Sequence, residues 1–178
     1  VTVGTELPFD RLIRAIDVWA GNTGRGQEVF AQVGHSEMTP SHIRWSEMLD
    51  AASFRSLFGQ AELTIAHAGM GTILAALEEQ RPLVVVPRRA DLREHRNDHQ
   101  LSTVAHLSSR GLLNVAQDEA ELTAYLEGDL EVIVPPAIGD TAEPSLIDAV
   151  RAAVAGDHPS RPSVAGEAGS LGAENVDA

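Results

Sequence analysis

The sequence contains no cysteine and no lysine; all 13 of its basic residues are arginine. Without a thiol there can be no cysteine nucleophile, iron–sulfur cluster, cysteine zinc site or disulfide, a composition that fits a reducing compartment. Without a side-chain amine there is no Schiff base, no pyridoxal-phosphate anchor and no P-loop lysine. Aromatic residues make up only 4% of the chain. No apolar run approaches the roughly 18 residues of a membrane span, and residues 1–6 lack the basic start of a secretion signal, so a soluble, cytoplasmic protein is expected. Cations are scarce as well: 26 acidic residues leave a net charge of −13. A surface broadly adapted to nucleic acid or anionic lipid is not expected, and any phosphate site must be local.

What remains is the composition of one globular domain, since 178 residues that are 43% hydrophobic can bury a core without staples. Residues 156–178 are rich in Gly, Ala, Ser and Pro without apolar periodicity, and read as a disordered tail behind a domain of residues 1–155. Val1–Val3 reads as the end of a strand that begins upstream.

Short β-type runs alternate with amphipathic stretches along the body, the pattern of a parallel sheet wrapped by helices. A helix follows Pro8, with Phe9, Leu12, Ile13, Ile16 and Trp19 at helical spacing and an end between Gly21 and Gly26. Strands are expected at Val29–Val33 and His42–Met48, and a short helix at Ala51–Phe58 stopping at Gly59. Next come a strand at Leu63–Ala66, a glycine turn at His67–Thr72, a helix at Ile73–Glu79 and an apolar strand at Leu83–Val86. A longer helix is expected at Arg93–Ser109, then a strand at Leu112–Val115 and helices at Glu119–Glu127 and Ser145–Ala155. This is an open, doubly wound parallel α/β sheet, whose ligands belong at the carboxyl ends of its strands.

Three features at that edge can carry chemistry. In His67-Ala68-Gly69-Met70-Gly71-Thr72, two glycines permit close approach and a helix opens behind them, which either cradles a phosphate or simply joins strand to helix. Arg81–Gln100 holds five of the arginines against Asp91, Glu94 and Asp98, a local reversal of the chain's charge. Arg88 and Arg89 leave a strand end where an anion would bind, or else belong to a surface helix with Arg–Glu pairs. His95, Asn97, His99 and Gln100 add groups able to read a sugar hydroxyl or base edge, or to cap a helix. Finally, Gly4-Thr5 and Gly34-His35-Ser36 follow the first two strands at the same edge. His95 and His99 are one turn apart, but further ligands and the His-Glu-x-x-His order are missing, so neither a metal nor a cofactor is expected. The dinucleotide Gly-x-Gly-x-x-Gly fingerprint and the Gly-x-Ser-x-Gly elbow are also missing.

Val1-Thr-Val-Gly-Thr-Glu6, Ile65-Ala-His-Ala-Gly-Met-Gly-Thr72, Pro82-Leu-Val-Val-Val-Pro-Arg88 and Glu94-His-Arg-Asn-Asp-His-Gln100 together resemble the C-terminal, donor-binding half of glycosyltransferase family 28. The likeness covers roughly residues 1–125 and is nearest the stand-alone type, as in the soluble subunit of two-part UDP-GlcNAc transferases and bacterial exopolysaccharide transferase subunits. It implies the Rossmann-like C-terminal half of a two-lobed GT-B enzyme with a UDP-sugar across the strand ends. Ala68, Gly69, Met70, Gly71 and Thr72 would hold the diphosphate beside His67 and Arg88. Asn97, His99 and Gln100 would lie near ribose or sugar, with Glu94 and His95 as lesser neighbours, and Gly4-Thr5 would face the donor–acceptor cleft. The family's ribose-binding glutamate falls on Ala75, with Glu78 one turn later as a substitute.

The resemblance further implies metal-independent hexosyl transfer to a lipid-linked saccharide for surface polysaccharide. The acceptor half would come from a membrane-associated partner, without which the chain would be nearly inactive. No side chain stands out as the catalytic base. The competing readings are a non-catalytic nucleotide-sugar-binding or regulatory module for a membrane partner and, third, a nucleotide-sugar epimerase.

Overall fold

A computed structural model describes residues 1–96 and 99–135. Asn97, the helix expected at Ser145–Ala155 and the tail expected from Gly156 lie outside the described residues.

Among the described residues, five strands pair in parallel: β1 (Phe30–Gln32), β2 (Arg44–Ser46), β3 (Thr64–His67), β4 (Leu83–Val86) and β5 (Asn114–Val115). Thr2 joins the two halves, bridging Gln32 on one side and Ala66 on the other. The resulting order is β2-β1-Thr2-β3-β4-β5, with the chain start at the centre. Five described α-helices connect and flank these strands: α1 (Asp10–Thr23), α2 (Ala51–Gln60), α3 (Met70–Glu78), α4 (His99–Ser108) and α5 (Glu119–Glu127).

Alternate residues of β3 and β4 serve opposite cores, as the two-residue period of a strand requires. Ile65, Val84 and Val86 pack with Phe9, Leu12, Ile13 and Ile16 of the α1 side and with Leu122 of α5. Ala66, Leu83 and Val85 pack with Phe58 of α2, Ile73 and Leu77 of α3, and Val104 and Leu107 of α4. Helices thus cover both faces, and the doubly wound Rossmann-like architecture expected from the sequence is the one observed. None of the described helices is long and apolar enough to cross a membrane.

Boundaries differ where a local bond outweighs the pattern. Gly59 lies inside α2, which runs to Gln60, whereas α1 closes at Gly24, within the expected Gly21–Gly26. The largest departure is at Arg93–Ser109, where α4 begins only at His99. Residues 91–96 form turns instead, with Arg93 at φ 60°, a left-handed backbone that cannot continue an α-helix. Arg11 explains the detour. Its guanidinium grips the Glu94 carboxylate bidentately, Nε to Oε1 at 2.6 Å and Nη2 to Oε2 at 3.0 Å, and that carboxylate also accepts the Arg89 amide at 3.0 Å.

At the far end of the sheet, the Asn114 side chain accepts from the Ile133 amide at 2.8 Å and donates to Leu83 O at 2.9 Å and Ile133 O at 2.8 Å. Residues 131–135 are thereby tied to the start of β4 and β5. Asp17 does the same for the segment before β2, accepting from the backbone amides of Ser41 at 3.0 Å and His42 at 2.8 Å.

Candidate functional site

Because every strand is parallel, the turns after Val3, Val33, His67 and Val86 all open at one edge. There the His67 imidazole is the central object. It lies between two glycines: a Cβ on Gly4 would stand 2.6 Å from its Cε1, and a Cβ on Gly69 would stand 2.3 Å from its Nε2. Gly4 also has φ 76°, so both its backbone and its contact demand glycine. Gly34 backs this stack, since a Cβ there would meet Gly4 O at 2.9 Å.

Burial, and next the cationic Arg88, push the His67 pKa down to about 4, with His95 adding to the effect. The ring is therefore neutral near pH 7, and its Nδ1 is buried without a hydrogen-bond partner among the described residues. A neutral imidazole at this edge can donate to or accept from a ligand without carrying charge into the site.

Behind His67, α3 opens at Gly69 with no side-chain cap hydrogen bond among the described residues. The contrast with two other helices is direct. Asp50 accepts from the Ala52 and Ser53 amides at 2.9 Å, and Asp118 accepts from Ala120 at 3.0 Å and Glu121 at 2.9 Å. Those ends are neutralised by the chain's own carboxylates, while the positive end of α3 is left to solvent or to an anion. A Cβ on Gly71 would meet nothing within 4 Å. The fold thus needs Gly4 and Gly69 for internal contacts, and leaves Gly71 facing open space.

Other sequence candidates divide. Thr5 and Gly71 are exposed, Met70 and Thr72 half-buried, and Ala68 buried beneath the turn. Gln100 reaches the end of β4, where its Oε1 accepts from the Arg88 amide at 3.1 Å. His99 starts α4. His95 is half-buried near His67. Glu78 does not join this group: it ends α3, about 12 Å along the axis from Met70 at 1.5 Å per residue. Glu94 is held by Arg11 and the Arg89 amide, so its carboxylate is already engaged.

Arg88 departs most from the sequence expectation. Its side chain turns inward, only 3% of the residue is exposed, and its guanidinium donates to four backbone carbonyls. Arg89 pairs with Asp91 at 2.7 Å. The arginine cluster expected to meet an anion directly is therefore largely consumed in holding the loops together. Sequence reading missed the Arg11–Glu94 pair altogether, although Arg11 at the start of α1 and Glu94 in a quoted motif were each visible.

An open parallel sheet with a glycine turn and an uncapped helix at its carboxyl edge defines a nucleotide-binding class of α/β domain. Residues 1–131 match the glycosyltransferase family 28 C-terminal domain, and the chain belongs to that family of glycosyltransferase nucleotide-sugar-binding domains. No curated protein matches the chain.

Proposed function

We propose that this chain is the donor-binding half of a metal-independent hexosyltransferase and takes a UDP-sugar such as UDP-GlcNAc. The observation that carries the reading is the uncapped start of α3, with open space at Gly71 and the neutral His67 ring alongside. The diphosphate would lie on the glycine turn at Ala68–Gly69, against the free amides of Met70, Gly71 and Thr72. As the sugar leaves, negative charge grows on the distal phosphate, and oriented amides at a helix start stabilise it without reorganising. His67 would hydrogen-bond this group as a neutral partner, Gly4-Thr5 would line the opposite wall, and Asn97, His99 and Gln100 would contact the ribose or sugar.

The acceptor half, and the general base with it, would be supplied by a membrane-associated partner presenting a lipid-linked saccharide at the cytoplasmic face, in surface polysaccharide synthesis. Residues 1–155 would form the donor-binding domain.

Calorimetric titration of the 178-residue chain with UDP and several UDP-sugars, with and without magnesium, tests the reading. Binding that is unchanged by magnesium and selective for uridine diphosphates supports it. Absence of binding both alone and with an acceptor-subunit partner overturns the donor role. Rapid transfer by the isolated chain would overturn the need for a partner.

A further inference from the structure

We propose that Arg88 is a positioning residue of this edge: it fixes the Gly4–Glu6 segment against His67 without touching the nucleotide. For its ligand-dependent part the inference rests on the nucleotide reading above.

The Arg88 guanidinium bonds four backbone carbonyls. Nη2 donates to Val3 O at 2.8 Å and to Leu7 O at 2.6 Å, while Nη1 donates to Pro8 O at 2.5 Å and Glu94 O at 3.2 Å. Val3 and Leu7 are the residues immediately before and after Gly4-Thr5-Glu6. One planar group thus pins both ends of this three-residue segment, and through Glu94 it joins that segment to the loop after β4. The ring of Phe9 lies 4.7 Å from the same guanidinium carbon, closing the assembly from the core side.

Holding Val3 O fixes the strand exit, and the next residue, Gly4, is the one whose backbone lies against the His67 ring. Thr5 and Glu6 are left exposed at the strand ends on a segment with two anchored ends. Arginine is required because its donors diverge in one rigid plane. A lysine ammonium keeps the charge but cannot span these carbonyls with the same fork. The guanidinium acts on a bound nucleotide only through the Gly4–Glu6 wall and His67, since both of its Nη groups already donate to backbone oxygens.

The test compares the full chain with its Arg88→Lys variant. Backbone 15N relaxation should show Thr5 and Glu6 near the rigid limit in the parent, with order parameters about 0.85, and below about 0.6 in Arg88→Lys. The variant should lose affinity for UMP and UDP by the same factor, because the lost wall is common to both. In the parent, the Arg88 guanidinium NMR signals should exchange slowly and stay unmoved at saturating UDP.

A shift of those signals by UDP, with a loss in the variant confined to UDP, would overturn the proposal in favour of direct phosphate contact. Unchanged order at Thr5 and Glu6 in the variant would overturn it too. Should Arg88→Lys fail to fold, the parent's guanidinium signals decide alone: fast exchange with solvent contradicts the clamp. Failure of the parent to bind UDP counts against the nucleotide reading, and the relaxation comparison still decides whether Arg88 holds the segment.

Discussion

Gly69 and His67 are in such close contact that a single added methyl group at Gly69 would lie 2.3 Å from the imidazole Nε2. Two residues apart in sequence, they fold back on each other because the Gly69 amide donates to His67 O at 2.7 Å, a tight turn at the strand end. The ring is thereby fixed at the mouth of α3.

The three glycines of this edge should respond differently to alanine. Gly69→Ala and Gly4→Ala force the His67 ring to move, and Gly4→Ala adds left-handed strain, so each should destabilise by about 1–3 kcal/mol. Gly71→Ala meets open space within a helix and should leave stability unchanged or raise it by up to about 1 kcal/mol. Urea unfolding of the three variants checks the ordering, and equal losses at all three positions would contradict it.

His67 makes stability depend on pH. Its folded pKa of about 4 lies below the unfolded value of about 6.5, so the unfolded chain takes up a proton that the folded chain refuses. The contribution is complete above pH 6.5 and is lost as pH falls toward 4, by about 3 kcal/mol in all. Titration of the His67 ring by NMR, together with unfolding midpoints between pH 7 and 4, measures both quantities. Protonation of the folded ring near pH 6.5 would contradict the burial argument.

The Arg11–Glu94 pair shapes the loop between β4 and α4. With side chains only 16% and 10% exposed, it is shielded from the screening that makes surface pairs weak. Glu94→Gln should cost about 2–3 kcal/mol, since it leaves a partly buried guanidinium with only the exposed Glu119 carboxylate, 3.5 Å away, as counter-charge. A double-mutant cycle with Arg11→Met should give a coupling above about 1 kcal/mol that persists in molar salt.

Cap residues offer a control. Asp50→Ala and Asp118→Ala should each cost about 1 kcal/mol, because each side chain bonds two amides of a helix start. Neither should change nucleotide affinity, since both caps serve helices other than α3.

Much of the fold could be read in the sequence, for reasons specific to its elements. Leu83–Val86 is apolar throughout because both faces of β4 are covered, and Asp118 announces α5 by the cap it forms. The glycine turn was legible because a strand, two glycines and a helix follow within a few residues. Arg88 misled because composition records a cation without recording the carbonyls around it; Val3, Leu7 and Pro8 are distant in sequence and meet it only through the parallel sheet. The same holds for the Gly4–His67 contact, which joins turns of two different strands. The helix start was misplaced because the polar run from Arg93 to Asp98 has helical propensity, which a left-handed Arg93 and a tertiary ion pair override.

The central claim is that a nucleotide diphosphate docks on the uncapped start of α3. The most direct measurement is a UDP titration followed at the backbone amides by NMR, on the parent chain and on Gly71→Arg. Docking there should give saturable shifts at Gly69, Met70, Gly71 and Thr72, small changes at the capped starts of α2 and α5, and loss of binding in a Gly71→Arg variant that stays folded. Shifts centred elsewhere, or undiminished binding in that variant, would contradict it.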